Sequence, residues 1–276
     1  MSRNAARFAE LKAQGRAAFV PFITAGDPDF ETSRAILEAL PDAGADVIEL
    51  GMPFTDPMAD GPAVQASSLR ALKAGATMAR TFALVRDFRQ RDQKTPIVLM
   101  GYYNPVHARG ADAFVREAAS AGVDGLIIVD LPPEEDGVLL KPAHAAGIDI
   151  VRLVTPTTHD ARLSKVLSGA SGYLYYVSIT GVTGTKSFAA DQVKAALTRI
   201  RKASDLPVAV GFGIRTPAQA AQIAGIADAA VVGSAIVSVV AESQNAGITR
   251  TVAAVTEFCR ALADSIHAVS NAKVRA

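Results

Sequence analysis

The stretch DVIELGMPFTDPMADGP, Asp46–Pro62, opens as an apolar run and closes as a loop rich in Asp, Pro and Gly. Its first half has the near-continuous Val/Ile/Leu character of a strand covered on both faces, the mark of a parallel sheet. Seven further runs share that character: AAFVPFIT (17–24), PIVLMGYY (96–103), DGLIIVD (124–130), DIVRLVT (149–155), GYLYYVSI (172–179), LPVAVGFG (206–213) and DAAVVGS (228–234). Amphipathic segments such as DFETSRAILEALPDAGA, DAFVREAASAGV and AADQVKAALTRIRKA separate them. Eight strand–helix units in about 250 residues predict a closed (β/α)8 TIM barrel rather than an open sheet.

Small signatures repeat with the units. In DAGADVIEL and SAGVDGLII a Gly ends a helix and a short turn feeds the next strand. No linker or low-complexity segment interrupts them, so residues 1–276 read as a single α/β barrel domain, with about 268–276 as a flexible polar tail. An extra amphipathic helix is expected at the N-terminus, where MSRNAARFAELKAQGR lacks a secretory apolar core. A cytoplasmic protein is therefore expected. The apolar stretch 223–241 is broken by Asp228 and by Gly233-Ser234, and reads as a buried strand entering a helix rather than a membrane span.

Composition narrows the function. Hydrophobic residues make up 50% of the chain, charged residues 20%, and the formal net charge is +1, which favours neither nucleic acid nor an anionic membrane. Cys259 is the single cysteine and lies in a helical pattern, so disulfides and thiolate metal clusters are excluded.

Strands 2 and 3 are separated by an extended loop and two helical stretches, 63–74 and 77–92. Loops after strand C-termini build the active sites of barrels, so this one is a functional candidate. Strand ends 6, 7 and 8 carry Gly181/Gly184, Gly211/Gly213 and Gly233, the last leading directly into a helix at Ser234. Glycines there let backbone N–H groups approach an anion, and the helix start adds its dipole, so a phosphate site is expected.

Glu49 shares a face with Val47 and Gly51, while Ile48 and Leu50 face the other way. If the aliphatic pair meets the helices, Glu49 points into the barrel, where desolvation would raise its pKa and let it trade protons near neutrality. A structural ion pair is the alternative, and Arg152 is the one basic partner on another strand. Asp60 is either a second functional carboxylate or an N-cap or turn residue at a helix start, with Pro62 in the first turn. Asp56 reads as a turn residue, and Asp130 as catalytic or loop-holding. No strand end carries a lysine for Schiff-base chemistry, the four histidines lack metal-ligand spacing, and no dinucleotide fingerprint is present. What remains is a phosphate handle, one or two carboxylates, the phenols Tyr102, Tyr173, Tyr175 and Tyr176, and the apolar Phe22, Met100, Ile127 and Phe212. That set suits proton transfer on a phosphorylated substrate with an apolar or aromatic part.

Taken in order, FITAGDP, IELGMPFTDPMADGPAVQ, MGYYNP, IVDLPPEE, YYVSITGVTGTK and VGFGI resemble the tryptophan synthase alpha subunit family. Departures are mild: Thr55 stands where the family usually has Ser, and Met100 where Leu is frequent. The resemblance implies a lyase of L-tryptophan biosynthesis that cleaves indole-3-glycerol phosphate to indole and glyceraldehyde 3-phosphate, without a cofactor in this chain. It implies Glu49 as the acid/base, Asp60 as acceptor of the indole N–H and Tyr175 as an assisting group. Phe22, Tyr102, Ile127 and Phe212 would wall the indole. Gly184, Gly213, Gly233 and Ser234 would bind phosphate, with Thr183 on a closing loop. It further implies an alpha2beta2 complex with a pyridoxal-phosphate beta subunit, met through Pro53, Asp56, Pro57, Met58, Asn104 and Pro132. Two rivals stand beside this: a phosphosugar isomerase or epimerase on the same barrel, and a non-enzymatic partner-binding role.

Overall fold

The computed structural model describes residues 2–178, 186–211 and 213–269, except for the side chains of 186–189. Thr183, Gly184, Phe212 and residues 270–276 lie outside the described residues. Helix α1 (Arg3–Gln14) precedes β1 (Ala18–Thr24), α2 (Phe30–Ala39) and β2 (Ile48–Gly51). The long connection to β3 (Ile97–Gly101) holds α3 (Pro62–Lys73) and α4 (Met78–Arg89), and α5 (Tyr103–Arg109) and α6 (Ala111–Ala121) lead to β4 (Gly125–Ile128). Then come α7 (Gly137–Ala145), β5 (Asp149–Ile150), β6 (Arg152–Val154), α8 (Asp160–Leu167) and β7 (Leu174–Val177). The chain continues through α9 (Lys186–Ala203), β8 (Val208–Gly211), α10 (Pro217–Ala224), β9 (Ala229–Val232), α11 (Ser234–Ser243) and α12 (Ile248–His267).

The nine strands among the described residues all run parallel, in the order β5-β4-β3-β2-β1-β9-β8-β7-β6. The two outermost in that order are the halves of one expected strand. DIVRLVT switches partner at Val151: β5 bonds to β4, and β6 bonds to β7. Nine segments thus fill eight positions, and the expected barrel is the observed fold. The stretch 223–241 is a strand entering a helix, as β9 and α11. No helix among the described residues is long and apolar enough to cross a membrane.

Strand alternation sorts the side chains into two cores. Ile48, Leu50, Ile97 and Leu99 face outward into the layer shared with the helices. Val47, Val98, Ile127, Val151, Tyr173, Ala209 and Val231 fill the interior. Helix α1 closes the floor, with Phe8 and Leu11 packed into that interior cluster and the Phe8 ring 5.4 Å from Tyr173. Burying each of those two side chains is worth about 1.5–3 kcal/mol.

The Asp that follows a helix-ending Gly by two or three residues, just before a strand, has a structural reason. Asp46, Asp124 and Asp228 each accept a backbone N–H at the start of the neighbouring strand, from Phe19 (2.9 Å), Ile97 (2.8 Å) and Val208 (2.9 Å). Each carboxylate is also paired with arginine, namely Arg16, Arg89 with Arg3, and Arg201. The ring of aspartates fixes register at the N-terminal end, which in this fold serves stability and leaves the other end free for chemistry.

Candidate active site

At the C-terminal mouth a cavity of about 240 Å³ is lined by Phe22, Glu49, Asp60, Met100, Tyr175, Gly211, Gly213, Gly233 and Ser234, among others. Residues from the ends of β1, β2, β3, β7, β8 and β9 converge there because parallel strands all point their C-termini the same way.

Glu49 is 0% exposed. Its register partners are Phe22 on β1 and Val98 on β3, which set its height in the barrel. Tyr173 Oη donates to Glu49 Oε1 at 2.8 Å, while Oε2 is buried without a hydrogen-bond partner. Desolvation pushes this carboxyl up to about 8, against the opposing pull of the Tyr173 hydrogen bond. Such a group exists in both protonation states near neutrality. Arg152 is no partner: it sits on the outward face with Ile150 and Val154 and pairs with Asp136. The structural ion pair considered for Glu49 is thereby ruled out.

Tyr175 lies two residues beyond Tyr173 on the same face and lines the cavity itself. Its phenol is held well above its ordinary range by burial and then by the charges of Glu49 and Asp60, so it stays a neutral donor. The ring passes directly over Gly211, where an added Cβ would lie 2.8 Å from Tyr175 Cε1; glycine is required for that approach.

Asp60 does not cap a helix. The N-cap of α3 is Gly61, with Pro62 in the first turn and no side-chain cap. The Asp60 carboxyl turns instead to the cavity and to Tyr102; burial raises its pKa, opposed by the Tyr102 hydrogen bond. Tyr102 Oη also accepts from Ala59 N at 2.9 Å, pinning the β2 loop to the end of β3. Burial, followed by the nearby Asp60 charge, pushes that phenol up to about 12.

After β9, beside Phe22, α11 begins at Ser234 with Gly233 as an N-cap that offers no side chain. The first backbone N–H groups of a helix have no partner within it, so this helix start can receive an anion beside Gly213. Ile127 is packed in the interior cluster and is not among the cavity-lining residues.

The loop residues Pro53, Asp56, Pro57 and Met58 differ in exposure: Pro57 is buried, Asp56 exposed, and Met58 79% exposed. Asn104, in the first turn of α5, and Pro132, on the β4 loop, are exposed. Asp130 Oδ1 accepts from Tyr103 N at 2.7 Å, so it holds the β4 loop to the start of α5. The loops after β2, β3 and β4 are thus laced together, and the lace ends at Asp60. Sequence reasoning did not single out Tyr173 as a site residue, although its spacing from Tyr175 places both on one face.

Fold and mouth together define a (β/α)8-barrel enzyme equipped for acid–base chemistry. Residues 8–267 match the family described as tryptophan synthase alpha chain. Tryptophan synthase subunit alpha from Legionella pneumophila str. Paris is 37% identical over 98% of this chain and 100% of that one, with a TM-score of 0.90. Tryptophan synthase from M. tuberculosis, in an open form with BRD0059 bound, is 33% identical over 97% and 99% of the two chains, with a TM-score of 0.85. The chain belongs to the tryptophan synthase alpha chain family. It is a lyase acting on indole-3-glycerol phosphate in tryptophan biosynthesis.

Proposed function

We propose that Glu49 and Asp60 carry the cleavage of indole-3-glycerol phosphate as an acid/base pair. The supporting observation is a fully buried carboxyl, raised to about 8, with one oxygen tied to Tyr173 and the other unpartnered, lining the same cavity as Asp60. Protonated Glu49 gives its proton to indole C3 while Asp60 accepts the ring N–H, which enriches the ring in electrons and makes carbon basic enough to protonate. The Glu49 carboxylate then takes the proton of the hydroxyl on the adjacent side-chain carbon. The C3 to side-chain carbon bond breaks, its electron pair returns to the ring, and the hydroxyl carbon becomes the aldehyde of glyceraldehyde 3-phosphate. One proton leaves Glu49 and one returns, so the pair ends as it began. Tyr175 stays neutral and steadies the carboxylate. The half-charged mouth, shielded by barrel walls, is where such preorganised groups count most.

Phe22 and Tyr102 are assigned to the indole ring, and Gly213, Gly233 and Ser234 to the phosphate. Thr183, Gly184 and Phe212 retain their assignments from sequence alone. The reaction needs no cofactor in this chain; pyridoxal phosphate belongs to the beta subunit, which is the partner. We assign the loop residues Pro53, Asp56, Pro57 and Met58, with Asn104 and Pro132, to the face that meets it. A cytoplasmic setting is part of the same proposal. Indole release from indole-3-glycerol phosphate, measured with and without added beta subunit, tests the reading. Slow release that the partner accelerates is expected; folded protein that releases none under either condition would return the chain to the partner-binding role.

A further inference from the structure

A second cavity, of about 420 Å³, contains none of the mouth residues described above. It lies outside the barrel wall, between β4–β6 and helices α7 and α8, and is bounded on its upper side by the β4 loop. Outward strand positions in this fold are filled by aliphatic side chains packed on helices, as Ile150 and Val154 are. Between those two, on the same face, stands Arg152. It is 7% exposed, paired with the 4% exposed Asp136, and its Nε is buried with no hydrogen-bond acceptor. A guanidinium carries five donors in a fixed fork and cannot shed its charge, so a buried one short of acceptors is costly. Asp136 meets only part of that demand.

We propose that this cavity binds a small apolar monocarboxylate, with its carboxylate on Arg152 and its hydrocarbon body against Leu139, Leu140 and Val166. The volume is at the lower end of the range of about 300–1,000 Å³ seen for ligand pockets, which limits the ligand to a small one. The planar fork of arginine matches a carboxylate. A phosphate dianion is disfavoured, because Asp136 already neutralises Arg152 and the second lining arginine, Arg162, is engaged by Glu134. The site is independent of the retro-aldol assignment, since it shares no residue with the mouth.

The test is calorimetric titration of the full chain with 3-phenylpropionate and, in parallel, with its neutral amide. Three variants are used. R152M/D136L removes both charges together, so no unpaired ion is left in the wall. Leu140→Phe fills the cavity from its half-buried rim and leaves Arg152 in place. Glu49→Gln alters the mouth alone. Saturable binding of the acid is expected, weakened at least about tenfold for the amide and for the first two variants and unchanged in Glu49→Gln. Three results would each overturn the proposal: no saturable binding of the acid, equal binding of acid and amide, or binding that survives both cavity variants.

Discussion

Tyr173 Oη and Glu49 Oε1 lie 2.8 Å apart, a hydrogen bond across the barrel interior from the residue just before β7 to β2. Both residues are 0% exposed. The bond favours the carboxylate, desolvation opposes it, and the balance leaves Glu49 at about 8. Tyr173 is therefore placed to tune the proton affinity of Glu49 without lining the mouth cavity. Replacing it by Phe removes a hydrogen bond to a charged group, worth about 1.5–3 kcal/mol, or roughly one to two pH units. The Glu49 pKa then rises, and the alkaline limb of the kcat profile, where the starting acid is lost, should move up by about one unit. An unmoved limb in Tyr173→Phe would show that this contact does not set the proton affinity.

Asp60→Asn should retain the fold, since α3 starts at Gly61 and Asp60 caps nothing. A neutral amide cannot offset the positive charge that protonation at C3 places on the ring N–H, so kcat should drop by about 10²-fold or more. Tyr102→Phe should cost less, because it removes only a hydrogen bond to Asp60 and the acceptor for Ala59 N. Equal and small losses in both variants would argue that Asp60 merely holds the loop.

Glu49 also makes stability depend on pH. Its folded pKa, about 8, lies above the ordinary carboxyl value, so the folded chain keeps a proton that the unfolded chain has released. Stability is undiminished below the ordinary value and falls as pH rises from there to about 8. Glu49→Gln does not titrate and should gain on the parent protein across that window, at up to about 1.4 kcal/mol per pH unit. Denaturant midpoints at acid and mildly alkaline pH measure this. A difference between the two proteins that stays constant with pH would mean that the carboxyl is not desolvated as described.

Met58 is 79% exposed at the tip of the β2 loop, and its neighbour Ala59 is bonded to Tyr102 beside Asp60. Met58→Asp places a charge on the proposed partner face without touching the cavity. The isolated chain should keep its basal indole release, while the acceleration by beta subunit should fall sharply. Full acceleration in the variant would move the interface elsewhere.

Much of this was legible in the chain. The eight apolar runs marked the barrel positions, and alternation alone placed Ile48 and Leu50 outward and Glu49 inward, because side chains on a strand switch faces at every residue. The division of DIVRLVT into β5 and β6 was not legible: it depends on which neighbour each half bonds to, a long-range matter. Alternation also put Tyr173 and Tyr175 on one face, but not which of them reaches Glu49. That depends on height in the barrel, set by the register between strands far apart in sequence. The same limit explains Ile127, which faces inward yet sits in the packed interior rather than at the cavity. The N-cap alternative for Asp60 was removed by one backbone detail, the helix beginning a residue later than an Asp60 cap would require.

The central claim is that Glu49 moves the protons. The most direct test is indole release from indole-3-glycerol phosphate by Glu49→Gln, with saturating beta subunit and a circular dichroism spectrum matching the parent protein. Turnover reduced by at least about 10²-fold, with beta-subunit affinity unchanged, is the predicted result. Near-normal release from the folded variant would contradict the account and leave the buried carboxyl without a catalytic role.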